Sequence, residues 1–166
     1  MKKRVAGYIK LAKLWEKNRE KAIQYHNEYY SRIYSDNDSF TLVGVYVDIT
    51  GNKNIKSRPE MIRLLSDCKS GCVDQISVQT KGYLAANTRE FCYLIKFLFD
   101  LDPPVDILSF DTDYHIDTLT NSENQKEELY RMANEYCMLY PGDYPKWRNE
   151  IMLAISEQTE GDMMNE

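Results

Sequence analysis

No serine or threonine occurs before Ser31, and no cysteine before Cys68. The amino-terminal stretch therefore holds no aliphatic hydroxyl or thiol that could serve as a nucleophile. The whole chain has only 2 histidines and 4 cysteines. Cys68 and Cys72 have loose metal spacing, but no second pair or nearby histidine completes the four ligands of a structural zinc site. No metal and no other cofactor is expected. No apolar run approaches the ~18 residues of a membrane span. Met1-Lys2-Lys3-Arg4 leads into only a short apolar stretch, which does not read as a secretory signal. A reducing cytoplasm is expected, with the cysteines at 68, 72, 92 and 137 as free thiols. Repeats and low-complexity tracts are absent.

What is present suits one globular domain. A chain of 166 residues buries roughly 70% of its extended surface, enough for a core of its own. Apolar residues make up 43% and charged residues 28%. Tyrosine is abundant, at 13 residues; it combines a large apolar body with a polar tip. The net charge of −5 hides an asymmetry. Residues 1–35 carry nine Lys/Arg against three Asp/Glu, and residues 121–166 carry four against ten. A basic end can meet phosphate and an acidic end repels it, although two solvated helix faces would read the same way.

Hydrophobic periodicity divides the chain into alternating strands and helices. Val5 to Ile9 reads as a buried strand that breaks into a basic turn containing Lys10, Ala12 and Lys13. Leu14 to Tyr34 reads as a helix, with Trp15, Ala22, Tyr25 or His26, Tyr29 and Ile33 facing inward. Ser35 to Ser39 is a loop, and Phe40 to Asp48 a second, well-buried strand. The polar segment Ile49 to Ser57 reads as a mobile loop. Ser57 is the expected N-cap of the next helix, with Pro59 in its first turn and Glu60 completing a capping box. Met61, Leu64 and Leu65 face inward, and Lys69-Ser70-Gly71 ends the helix. Val73 to Val78 is a third strand, and Gln79 to Ala86 a loop. Asn87 or Thr88 caps a helix whose stripe is Phe91, Leu94, Ile95 and Leu98. Asp100 to Pro104 connects to a fourth strand, Val105 to Phe110. Asn121 to Tyr140 is helical, with Leu129, Met132, Ala133, Tyr136 and Leu139 on one side. Pro141-Gly142-Asp143 breaks it, Lys146 to Ser156 forms a short last helix, and Glu157 to Glu166 frays. Such alternation predicts an α/β protein with three layers, a mainly parallel sheet of four or five strands flanked by helices, and a helical C-terminal tail. The expected division is 1–120 for the α/β domain and 121–166 for the tail.

The landmarks, taken in order, resemble the catalytic domain of the serine recombinases, the resolvase/invertase group. Gly7-Tyr8-Ile9-Lys10-Leu11-Ala12 looks like the family's Y-x-R-V-S strand and turn. Val43-Gly44-Val45-Tyr46-Val47-Asp48 with Ile49-Thr50-Gly51 resembles its Y-x-D strand and S-G loop. Arg58-Pro59-Glu60-Met61 with Leu64-Leu65 is similar to its R-P-x-[FL] helix start. Ile76 to Thr88 aligns with its strand and arginine-rich loop, close to S-R-F-A-R-N-T. The last strand and Ile116-Asp117-Thr118 also fit. The resemblance covers about residues 4–119 and implies a resolvase-like fold.

The departures fall on the chemistry. The resemblance implies a serine after the first strand that attacks a DNA phosphodiester; Ala12 stands there. The family's preceding arginine is Lys10, and its two phosphate-clamping loop arginines fall on Tyr83 and Ala86. Only Asp48 and Arg58 remain of the usual charged set. Covalent phosphoryl transfer needs an oxygen nucleophile at near-attack distance and fixed cations for the developing charge. Loss of the nucleophile alone costs on the order of 10⁶ in rate in a serine protease. The expectation is a recombinase-like protein of mobile-element DNA recombination that has lost strand cleavage and acts as an accessory or regulatory subunit. It would form a homo-oligomer, or a hetero-oligomer with an active recombinase. Residual DNA contacts, if retained, fall to Lys10, Lys13 and Arg58, and an interface to Leu129, Met132, Tyr136 and Leu139. Two alternatives stay open: a protein-interaction module without a DNA role, or an enzyme using a displaced hydroxyl, Thr50 or Thr80. Asp48 and Arg58 can equally be a strand-end residue bonding loop amides and an ion-pair partner. His26 and His115 read as ordinary surface or half-buried residues.

Overall fold

The computed structural model describes residues 2–111 and 122–164. Ile116-Asp117-Thr118 and His115 lie outside them. Four strands form one parallel sheet in the order β2-β1-β3-β4: β1 Lys3–Leu11, β2 Phe40–Ile49, β3 Gln75–Val78 and β4 Asp106–Ser109. The helices are α1 Arg19–Tyr34, α2 Pro59–Lys69, α3 Thr88–Phe99, α4 Ser122–Leu139 and α5 Asp143–Met164. The apolar alternation of β1 assigns them to two faces. Val5 and Ile9 pack with Tyr30 and Tyr34 of α1. Ala6 and Tyr8 point the other way, into a larger cluster with residues of α2, α3, α4 and α5. The result is the expected three-layer α/β arrangement.

α1 rests on β1 through a fit that only glycine permits. A Cβ on Gly7 would lie 2.9 Å from three ring atoms of Tyr30. Tyr30 is buried, stacks on Tyr34 and donates its hydroxyl to the Ser77 carbonyl at 3.0 Å. Tyr34 donates to Ser77 Oγ at 3.1 Å. The α1 stripe keeps Ala22 and takes His26 of the two expected alternatives, then runs one position later than expected, through Tyr30 and Tyr34 rather than Tyr29 and Ile33. Ala22, His26, Tyr30 and Tyr34 are buried, while Trp15, Tyr25 and Ile33 are exposed. The segment also starts differently: Lys13–Asn18 is a 3-10 helix, and the α-helix begins at Arg19.

Other boundaries shift for local reasons. β1 continues through Lys10 to Leu11, because β2 pairs with it along that whole length. β2 is an edge strand, half-exposed in its first half, and its pairing skips Val43 at a bulge. The expected mobile loop after Asp48 is anchored instead, by a fully buried Ile55 in the 3-10 turn Ile55–Ser57. α5 runs to Met164 rather than fraying after Ser156. Its Ile151 and Ile155 join the same cluster as α2 and α3, and beyond Ser156 the Gln158 side-chain amide donates to the Pro59 carbonyl.

The charge asymmetry of the sequence is partly cancelled in space. Lys3 and Lys126 both pair with buried Asp106, Arg4 pairs with Asp74 at 3.0 Å, and Arg19 pairs with Glu16 at 2.7 Å. The four cysteines are free. Among the described residues, no helix is long and apolar enough to cross a membrane. Among the same residues, no group of three or more His, Cys, Asp or Glu is placed to hold a metal ion.

Candidate functional site

In open parallel sheets, chemistry sits outside the carboxyl ends of the strands, where the strand order reverses. Here the reversal falls between β1 and β3. β1 delivers Lys10 and Ala12 to that end, β2 delivers Asp48, and the segments after β3 and β4 deliver Thr80, Tyr83 and Asp111. Lys10 and Asp48 are paired neighbours across β1 and β2. The strand period places them on the face that also carries Tyr8 and Tyr46.

Asp48 is 3% exposed and fully engaged. Its Oδ1 accepts the Glu60 amide at 2.9 Å; its Oδ2 accepts the Met61 amide at 2.8 Å and the Tyr8 hydroxyl at 2.8 Å. The carboxylate thus caps α2, a role expected of Ser57. Ser57 makes no such contact: the N-cap position is Arg58, with no side-chain cap of its own. The cap comes from a residue ten positions before the N-cap Arg58, where its negative charge also meets the positive end of the helix dipole. Burial and the Asp48 charge together push the Tyr8 phenol far above its ordinary pKa. Tyr8 lies inside the strand motif, but nothing in sequence marks it as the partner of Asp48.

Arg58 is the largest fully buried side chain, at 0% exposed. Nη1 donates to the carbonyls of Tyr83 at 2.8 Å and Leu84 at 3.0 Å, and Nη2 donates to the carbonyl of Lys53 at 2.6 Å. The guanidinium ties the loop after β2 to the loop after β3. It is buried rather than presented at the surface, where the expectation had it as a DNA contact. Lys10 is half-buried, and its ammonium is held below the ordinary lysine value by burial first and then by Arg58 and Lys53, with Asp48 opposing. Lys13 is exposed at the start of the 3-10 helix.

Ala12 is exposed at the end of β1, its methyl group offering no nucleophile. Tyr83 takes a packing role. Its half-buried ring touches both apolar clusters at the carboxyl end of the sheet. Ala86 lines a cleft of about 630 Å³ with Thr80, Asn87, Phe91, Asp111 and Met132. That cleft touches none of Lys10, Ala12, Asp48 and Arg58. The two loop threonines hold their own turns: Thr50 Oγ1 accepts the Asn52 amide at 3.0 Å, and Thr80 Oγ1 donates to Asp111 at 3.0 Å. On α4, Ala133 is buried, and Leu129 and Tyr136 pack against the domain's own core. Met132 and Leu139 remain exposed, so the expected interface stripe is divided between internal packing and surface.

No protein-family model and no curated protein matches the sequence. Solved structures do match. One is the N-terminal catalytic domain of TP901-1 integrase, with TM-score 0.58 and 20% identity, covering 83% of this chain and 99% of that one. A second is a resolvase family site-specific recombinase from Streptococcus pneumoniae, with TM-score 0.54 and 19% identity, covering 99% and 98%. A third is the C-terminal catalytic domain of ISC1926 TnpA, an IS607-like serine recombinase, with TM-score 0.50 and 15% identity, covering 98% and 99%. The fold is that of serine recombinase catalytic domains.

Proposed function

We propose that this chain is a recombinase-like protein of DNA recombination that does not cleave DNA and acts as an accessory or regulatory subunit, paired with itself or with an active relative. One observation carries the reading. At the carboxyl end of β1 stands Ala12, and the Arg58 guanidinium, from the start of α2, is turned inward onto three carbonyls. A scaffold keeps its framework residues under such a change, because Asp48 and Arg58 hold loops and a helix end whatever the chemistry. Fixed cations aimed at a phosphate are then missing together with the nucleophile.

The test uses a supercoiled plasmid carrying the DNA that flanks the chain's own coding sequence. Neither the protein nor its Ala12→Ser variant is expected to form an SDS-resistant protein–DNA adduct, since Tyr83 and Ala86 supply no clamp. An adduct with the unaltered protein overturns the reading and revives a displaced hydroxyl. The interaction-module reading draws support from the acidic segment 121–166. A salt-dependent mobility shift of the same DNA at micromolar protein favours the recombination role, and its absence favours the module.

A further inference from the structure

α5 makes a series of contacts with one short segment, the stretch that leads from Asp48 into α2. Trp147 Nε1 donates to Glu90 Oε2 at 3.1 Å, and Glu90 Oε1 accepts the Ile55 amide at 3.2 Å. Glu90, buried on α3, thereby joins α5 to the loop. Glu150 pairs with Lys56 at 3.4 Å, and Gln158 Nε2 donates to the Pro59 carbonyl at 2.8 Å. Trp147, Glu150, Ile151, Ile155 and Gln158 recur at helical spacing, so one face of α5 both enters the core and reaches the loop. Apart from the buried Ile55 and the backbone bonds of Thr50 to Leu11 and Ser57 to Asn54, the loop has few contacts of its own. Asn52 bonds Thr50 and Ser57, and Arg58 holds the Lys53 carbonyl. A polar, largely exposed segment of this kind sits at the low-stability end of a structure unless something outside it holds it.

We propose that α5 is a strap: its docking sets the order of the Thr50–Ser57 loop, so a partner that lifts α5 frees the loop beside Asp48 and Lys10. The inference stands on the contacts alone and holds whether or not the protein has a role in DNA recombination. α5 reaches this segment through Trp147, by way of Glu90, and through Glu150 and Gln158, side chains on one face of the helix.

Hydrogen exchange followed by mass spectrometry on the full chain tests this, with peptides covering 50–57, 75–78 and α5. The variants are Trp147→Phe, which keeps a ring and removes the donor, and Glu150→Lys, paired with Lys56→Glu to restore the opposite charges. Trp147→Phe is expected to speed exchange in 50–57 by roughly 3- to 10-fold, the effect of losing one ordinary polar contact, and Glu150→Lys by roughly 2- to 5-fold, because an exposed ion pair contributes less. Exchange in β3 is expected to stay unchanged, and the charge-swapped double variant is expected to return the loop toward the parent rate. Faster exchange in α5 with an unchanged loop overturns the proposal. So does equal acceleration in all three regions, which marks general destabilisation, or failure of the charge swap to restore the loop.

Discussion

At the scale of single residues, the two charged groups that match the recombinase motifs, Asp48 and Arg58, both bond backbone groups of the chain itself. Arg58 is completely buried and bonds three carbonyls from two loops. Arg58→Met removes all three donors and leaves those acceptors without a partner. We expect a loss of about 2–4 kcal/mol, read from urea unfolding, with Arg58→Lys between the two because an ammonium cannot reproduce the planar fork. His26 gives a pH signature. It is buried, its Nδ1 has no hydrogen-bond partner, and burial holds the imidazole below its ordinary value of 6.5. The unfolded chain therefore takes up the proton at higher pH than the folded chain. Stability contributed by neutral His26 is complete above about pH 6.5 and is lost as the pH falls through the folded value. Urea midpoints measured from pH 7.5 down to 5 should decline, and His26→Gln should flatten that decline. An identical slope in the variant would assign the effect to other groups.

At the scale of elements, α1 is held to the sheet by Tyr30 lying over Gly7. Gly7→Ala drives a methyl group into a ring that is itself buried and bonded to Ser77, so neither side has room to yield. A cost of about 1–3 kcal/mol is expected. Thermal and urea unfolding check it, and a Tyr30→Leu background should reduce the cost of Gly7→Ala, because the clashing ring is gone. The same contact explains why the α1 stripe was misread. Periodicity marks Tyr25, Tyr29 and Ile33 as readily as Ala22, His26, Tyr30 and Tyr34. Only the glycine gap in the neighbouring strand selects between them.

At the scale of the whole molecule, apolar side chains stand outside the core on the last two helices. Met138 is 76% exposed, Leu139 68% and Tyr140 52%, close together at the end of α4. Apolar residues grouped this way mark contact surfaces more often than residues scattered singly. If the chain pairs with itself as proposed, Leu139→Glu should lower the sedimentation coefficient at micromolar concentration toward that of a monomer while leaving the unfolding midpoint within error. A parent protein that already sediments as a monomer would remove self-pairing and leave a partner of different sequence.

The sequence by itself determined the strand and helix order, the parallel sheet, the start of α3 at Asn87 or Thr88, and the absence of an oxygen nucleophile at Ala12. Each of these depends on residue type and local period, which neighbours in the chain set directly. Tertiary structure decided what Asp48 and Arg58 do. Their partners are the amides of Glu60 and Met61, the hydroxyl of Tyr8, and carbonyls near residues 53 and 83. Several of these lie far along the chain, and a carboxylate or guanidinium has the same letter whether it faces a phosphate or a peptide group. The strap of α5 was equally hidden. Its contacts join residues 147 to 158 with residues 55 to 90, and only the closing of the fold brings them together.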